Sequence, residues 1–316
     1  MISSMVIRNF KSIKNLNLNC KRVNVFIGEP NSGKSNILEA IGLLSHLFYG
    51  KDLRHFVRLE TMKDIFYDKV FDFPIEINFD NQKVMIEFKN GKFKCRLGNQ
   101  LIFDYGYDAH GSLVRMSKFS TFKFYRFAKR SSFPDQHSEF LIPPYGENLL
   151  AVIITRKKLR ASIKEIFDAF GYKVVFKPEE GKIEIQKELE DIIFSLSYPL
   201  VSETLQRIIF FLAVVDSNIN SVLAFEEPEA HAFPYYTKYL AERIALDKNK
   251  NQYFISTHNP YFLLSIIEKT PREELAVFLT SLKNYQTEVQ TLTEKRMRKL
   301  LKMNFDLFFR LDELLR

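Results

Sequence analysis

Residues 28–35 read Gly28-Glu29-Pro30-Asn31-Ser32-Gly33-Lys34-Ser35 and fit the pattern GxxxxGK[ST] in full. Two glycines let a backbone curl until several N–H groups point at one centre, which suits the oxygens of a phosphate. Lys34 then brings a cation to the β- and γ-phosphates, and the Ser35 hydroxyl suits Mg²⁺. With Asn36 included, residues 28–36 are the expected cradle for the phosphates of ATP. A second group, Glu226-Glu227-Pro228-Glu229, follows the apolar run Val222-Leu223-Ala224-Phe225. One carboxylate there, Glu226, is expected to hold the metal, and its neighbour Glu227 to act as the base that polarises the attacking water. Adjacent glutamates favour ATP hydrolysis over a nucleotide kinase, which needs no water-activating base. An Asn-Lys-x-Asp motif, which would read guanine, does not occur. The third group is Ser256-Thr257-His258-Asn259-Pro260, in which His258 is expected to hydrogen-bond the γ-phosphate.

These three groups can meet only if the elements before them end at one edge of a sheet. Residues 23–27 form a short apolar run of the kind a buried parallel strand shows. Beyond the glycine turn, Ile37, Leu38, Ile41, Leu44 and Leu47 keep helical spacing over 34–48. Strands are expected at 222–225 and 252–255, with helices at 204–215 and 234–246. Glu227 and His258 are 31 residues apart, the length of one helix-plus-strand crossover, so the two strands should be neighbours. In an open parallel sheet, ligands bind at the carboxyl ends of the strands.

Residues 72–195 read differently. Strand-like pieces at 75–79, 84–88 and 93–97 are separated by turn signals, of which Asn90-Gly91 is a hairpin signal. A helix is expected over 147–170, followed by strands at 173–176 and 182–185. At the far end, Met297, Leu300, Leu301, Phe308, Leu311 and Leu315 make one helical stripe. The expected fold is α/β: a P-loop ATPase head with a parallel-rich sheet, built from 1–71 and 196–316, and interrupted by a β-rich and helical subdomain at 72–195.

Composition excludes several classes. Of the 316 residues, 46% are hydrophobic and 27% charged, which argues against general disorder. The longest apolar run, 208–215, is too short to cross a bilayer. The first residues lack the apolar stretch of a signal peptide, so a cytoplasmic location without membrane association is expected. Two cysteines, Cys20 and Cys95, are far apart in sequence and suggest neither a disulfide framework nor a cysteine-built zinc site. The net charge of +8 permits a polyanionic partner without requiring one.

In this order, the motifs resemble those of the ABC-type ATPases of the SMC and DNA-repair kind, and above all their small prokaryotic OLD-like branch. The resemblance rests on Ile7-Arg8-Asn9-Phe10-Lys11-Ser12-Ile13, Gly33 to Ala40, Glu226 to His231, and Ser256-Thr257-His258. The segment Leu141-Ile142-Pro143-Pro144-Tyr145-Gly146-Glu147-Asn148-Leu149 is also similar to one in these proteins. The resemblance implies a head-to-head homodimer that closes on two ATP molecules with Mg²⁺. It also implies a signature motif, close to Ser-x-Gly-x-Gln-Arg, that reaches the partner copy's nucleotide. Here that stretch is Ser202-Glu203-Thr204-Leu205-Gln206-Arg207, with Thr204 where glycine is usual. Ser202 is therefore expected to act in trans. OLD nucleases carry a TOPRIM domain with an Asp-x-Asp pair. No such pair follows His258, so that domain is expected to be absent.

Two readings of the function follow. In one the chain is an ATPase that drives a partner process, on nucleic acid or in defence. In the other, ATP only holds a conformation that recruits a nucleic acid or a separately encoded effector protein. A candidate nucleic-acid contact is the basic, aromatic run from Lys118 to Arg130, where stacking faces and cations interleave. A second is the cluster Arg156, Lys157, Lys158, Arg160 and Lys164.

Overall fold

The computed structural model describes residues 1–303. The chain opens with an antiparallel pair, β1 (Ser4–Phe10) and β2 (Ile13–Asn19), followed by β3 (Val23–Gly28) and helix α1 (Lys34–Tyr49). Turns then lead to an antiparallel meander of β4 (Ile75–Phe79), β5 (Gln82–Lys89), β6 (Lys92–Leu97), β7 (Gln100–Tyr105) and β8 (Gly111–Leu113). Strand β9 (Phe122–Tyr125), α2 (Leu149–Thr155) and α3 (Lys157–Asp168) come next, then the small sheet β10 (Lys173–Lys177), β11 (Lys182–Leu189) and β12 (Ile192–Ser197). The α/β rhythm resumes with α4 (Glu203–Ser217), β13 (Val222–Glu226), α5 (Pro234–Ala245), β14 (Gln252–Ser256) and α6 (Pro260–Lys269). A hairpin of β15 (Leu275–Lys283) and β16 (Gln286–Thr291) and the helix α7 (Glu294–Met303) complete the described residues.

The central sheet has the order β16-β15-β3-β14-β13-β9, parallel throughout except for β16. It is buried on both faces, and side chains alternate between two cores. Val23, Val25, Ile27, Leu223, Phe225, Tyr253 and Ile255 face one core, which α2 to α6 cover. Phe26, Ala224, Phe254 and Phe278 face the other, filled by α1 and by the seven-stranded sheet β2-β1-β4-β5-β6-β7-β8. Helix α1 is therefore enclosed between two sheets, which is why even Glu39, Ser45 and His46 on it are buried.

Strands from residues 72–195 appear in all three sheets. β4 to β8 extend the sheet that β1 and β2 begin, β9 is an edge strand of the parallel sheet, and β10 to β12 stand alone. The expected helix over 147–170 is two helices. The Thr155 hydroxyl donates to the carbonyls of Ala151 (3.0 Å) and Val152 (3.1 Å), a back-bond that competes with continuation, and Arg156 is extended. Met297 and Leu300 of the expected C-terminal stripe are buried in the first core, whereas Phe308, Leu311 and Leu315 lie outside the described residues.

β9 also corrects the reading of the basic, aromatic run. Phe119, Phe122, Phe124 and Tyr125 are buried in the two cores, so they offer no face for a nucleic-acid base. Lys123 is only 5% exposed, its Nζ lying 3.6 Å from the centre of the Phe140 ring and donating to Asn218 Oδ1 at 2.6 Å. Burial pushes its ammonium down to about 7. Lys129 pairs with Glu203, and Arg130 with Glu147. A strand covered on both faces by aromatics has no polar face, and its alternation of bases with rings is the alternation of two cores.

Candidate nucleotide-binding cleft

β3, β14 and β13 are adjacent and parallel, so Gly28, Ser256 and Glu226 end at the same edge of the sheet. There a cleft of about 710 Å³ opens. Pro30 to Asn36, Glu226, Glu227 and His258 line it, joined by Lys11, Ser12, Arg58, Leu282 and Tyr285. Of the candidate residues in the three motifs, all but Gly28 and Glu29 line this cleft. Ser202 is elsewhere.

The loop after β3 is held from below. Lys34, 5% exposed, donates from Nζ to the carbonyls of Gly28 (2.9 Å) and Glu29 (2.7 Å) and to Ser32 Oγ (3.2 Å). Burial pushes its ammonium down to about 8, against the opposing pull of Glu227, Glu226 and Glu29. Asn31 has φ +60° and Gly33 φ +93°, which gives the curl that the spacing predicts. The glycines also have a second reason to be glycines. A Cβ on Gly28 would lie 2.2 Å from the Thr280 carbonyl, and one on Gly33 would lie 1.9 Å from Thr287 Oγ1. The β15–β16 hairpin therefore presses on the loop. Ser32 Oγ and Thr280 Oγ1 are 2.8 Å apart, Ser12 Oγ and Thr287 Oγ1 are 2.7 Å apart, and Asn36 Nδ2 donates to Ser12 Oγ at 2.6 Å. Ser35 stands in the first turn of α1, half-buried and in the cleft.

Glu227 follows β13 in the left-handed region (φ +43°), a conformation that costs a non-glycine residue and is common at working sites. It is fixed by its N–H, which donates to the Ser256 carbonyl at 3.0 Å. Its Oε1 lies 3.4 Å from His258 Nε2. The imidazole is held below its ordinary range by burial and by the Lys34 charge, with Glu227 opposing. Beneath them Thr257 Oγ1 donates to Glu229, whose burial pushes its carboxyl up to about 7. Glu226 faces two cations, with Arg58 at 3.6 Å and Arg126 at 3.7 Å. Behind it Glu39, fully buried on α1, pairs with Lys11, with Arg58 Nε (2.5 Å) and with Arg126 (3.7 Å).

Lys11 and Arg58 are not among the expected site residues, and Arg126, expected in the basic, aromatic run as a nucleic-acid contact, instead pairs with Glu39 and Glu226 here. Arg126 follows β9 at the same edge of the sheet, with Tyr125 opposite Phe225 in register. The Arg126 N–H donates to the Pro144 carbonyl at 3.0 Å, while Asn148 Oδ1 accepts from the Ile142 N–H at 2.8 Å. The 141–149 segment is thus a brace behind Arg126. Arg58 lies in turns without periodicity and left no signal.

Ser202 is the N-cap of α4 and accepts from the Leu205 N–H at 3.4 Å. It is exposed in a separate apolar groove with Leu200, Phe233 and Tyr235. Thr204 Oγ1 donates to the His231 carbonyl at 2.5 Å, which ties the start of α4 to the turn after β13. Gln206 is buried, with Nε2 donating to the Val201 carbonyl at 2.7 Å.

Comparison with solved structures gives the architecture a family of folds. An SMC head bound to the C-winged helix domain of ScpA superposes with a TM-score of 0.60, at 14% identity, over 94% of this chain and 99% of that one. The fold is that of an ABC-type ATPase head. A second match is an SMC head with an extended coiled coil, bound to the C-terminal domain of ScpA, from Pyrococcus furiosus. It has a TM-score of 0.56 at 13% identity, over 96% of this chain and 98% of that one. Residues 1–139, which hold β1 to β9 and the loop after β3, match the family model of an AAA ATPase domain. No curated protein matches the chain. Among the described residues, no helix is long and apolar enough to cross a membrane.

Proposed function

We propose that the chain is a Mg²⁺-dependent ATPase of the OLD-like, ABC-type kind, which closes as a homodimer on ATP and drives a partner process. The observation that supports this most is the single cleft in which the 28–36 loop, Glu226, Glu227 and His258 meet at the ends of three adjacent parallel strands. The donor set fits the nucleotide. Backbone N–H groups at the start of α1 and the Lys34 ammonium suit phosphate oxygens. Ser35 and Glu226 offer the hard oxygen donors that Mg²⁺ takes. The metal would supply charge neutralisation at the phosphates. Glu227 accepts the proton of the attacking water, and His258, 3.4 Å from it, orients that carboxylate beside the γ-phosphate. Arg58 and Arg126 add positive charge where negative charge builds up in the transition state.

Ser202 belongs to the same mechanism only through a second copy. Its groove is distinct from the cleft, and it stands at the exposed start of the 15-residue helix α4. Mixing tests this. Lys34→Ala and Ser202→Arg proteins, each inactive alone, should regain part of the phosphate-release activity when combined, because a mixed dimer keeps one intact pair of half-sites. No recovery, with mixed dimers demonstrated, would contradict the shared site.

Acidity supplies a second check. Burial pushes Lys34 down to about 8, and a bound triphosphate favours its charged form, so its pKa in the complex is higher. Binding is therefore at full strength below about pH 8 and weakens as pH rises through and above that value, by at most about tenfold per pH unit. Calorimetric titrations with ATP at pH 7, 8 and 9 should show this decline, and Lys34→Arg should flatten it. An affinity independent of pH in the wild-type protein would contradict the role of Lys34.

The partner is a nucleic acid or a separately encoded effector protein. Among the basic clusters, Lys157 and Lys164 of α3 are exposed, unlike Lys123 of β9.

A further inference from the structure

β15 and β16 are joined by the two-residue turn Asn284-Tyr285, closed by the pairing of Lys283 with Gln286. Both turn residues have positive φ, +47° and +61°, the pattern of a type I′ turn. The second position of that turn favours glycine, because a side chain there is strained. This chain has tyrosine, whose side chain is 85% exposed and so gains nothing from burial to offset the strain. Leu282, one strand residue before Lys283, is also exposed, at 47%. Both residues line the same cleft as Lys34, Glu227 and His258.

The hairpin is not free to move away from the phosphate loop. Thr280 is bonded to Ser32, and Thr287 to Ser12, with the Thr287 N–H donating to the Ser12 carbonyl at 2.8 Å. Thr287 sits against Gly33 closely enough to exclude a Cβ there. Tyr285 precedes Thr287 by two residues, roughly 7 Å toward the turn of the hairpin. An exposed aromatic ring thus stands on a tethered hairpin at the rim of the cleft that the 28–36 loop lines.

We propose that Tyr285 stacks on the purine ring of the nucleotide whose phosphates rest on residues 28–35, with Leu282 forming the apolar floor beside it. This deepens the nucleotide reading given above and rests on it. Stacking recognises the face of a base and not its hydrogen-bonding edge. It therefore distinguishes a purine nucleoside triphosphate from bare triphosphate, and does not distinguish adenine from guanine.

The test compares ATP with inorganic tripolyphosphate, both with Mg²⁺, by calorimetric titration of the full chain. Tyr285→Gly should weaken ATP binding roughly tenfold, within the range that base–aromatic stacking contributes, and leave tripolyphosphate binding unchanged. Its melting temperature should be equal or higher, because glycine suits the turn. Tyr285→Phe should keep ATP affinity. The inference is overturned if Tyr285→Gly binds ATP as tightly as the wild type. It is equally overturned if ATP and tripolyphosphate weaken together with a fall in melting temperature, the mark of a purely structural role. Wild-type protein that binds neither ligand would overturn the nucleotide reading itself, and this inference with it.

Discussion

Glu227→Gln should bind ATP as the wild type does and release phosphate at least about a hundredfold more slowly, the scale on which a positioned general base contributes. The amide has nearly the shape of the carboxylate but cannot accept the water's proton. The backbone around it should be undisturbed, because the left-handed turn at Glu227 is held by its own N–H on the Ser256 carbonyl and not by the side chain. The measurement is phosphate release under saturating ATP, with affinity determined separately. Hydrolysis at the wild-type rate would mean that Glu227 is not the base. The next carboxylate to test would be Glu226, which instead faces Arg58 and Arg126.

Lys34→Ala should lose ATP affinity by about two orders of magnitude or more. Hydrogen bonds to a charged group contribute roughly 1.5–3 kcal/mol each, and the ammonium is expected to meet more than one phosphate oxygen. Two effects combine. The variant removes the charge that faces the phosphates, and it removes the donor that gathers the Gly28 and Glu29 carbonyls and Ser32 Oγ beneath the loop. Folding should be nearly unaffected, since taking a lysine out of buried surroundings also removes its desolvation cost. A calorimetric titration with a thermal melt separates binding from folding. Unchanged affinity would remove the phosphate reading of residues 28–35.

The parts of this site that could be read in sequence were those in which chemistry and local geometry coincide. The 28–35 loop, the strand before it and the helix after it are contiguous, so one stretch carries both the motif and its structural context. The adjacency of β13 and β14 followed from the length of a crossover. What could not be read depends on tertiary placement. Strand β9 is buried on both faces, so its mix of aromatics and bases carries no face signal, and Arg126 was concealed at its end. Arg58 lies among turns, where no period identifies a neighbour. Thr280 and Thr287 reveal themselves only by their closeness to Gly28 and Gly33. Helix α6 is absent from the expected elements although its start carries the local signals: Asn259 caps it and Pro260 begins it. Thr204 departs from the signature pattern, and its bond to the His231 carbonyl gives it a tie that glycine could not make.

The most direct test of the account is the mass of the Glu227→Gln protein by sedimentation, with and without Mg²⁺ and ATP. Blocked hydrolysis should trap the closed state. One 37.2 kDa chain is expected without nucleotide, and twice that mass with it. A variant that binds ATP and still sediments as a single chain would contradict a site shared between two copies.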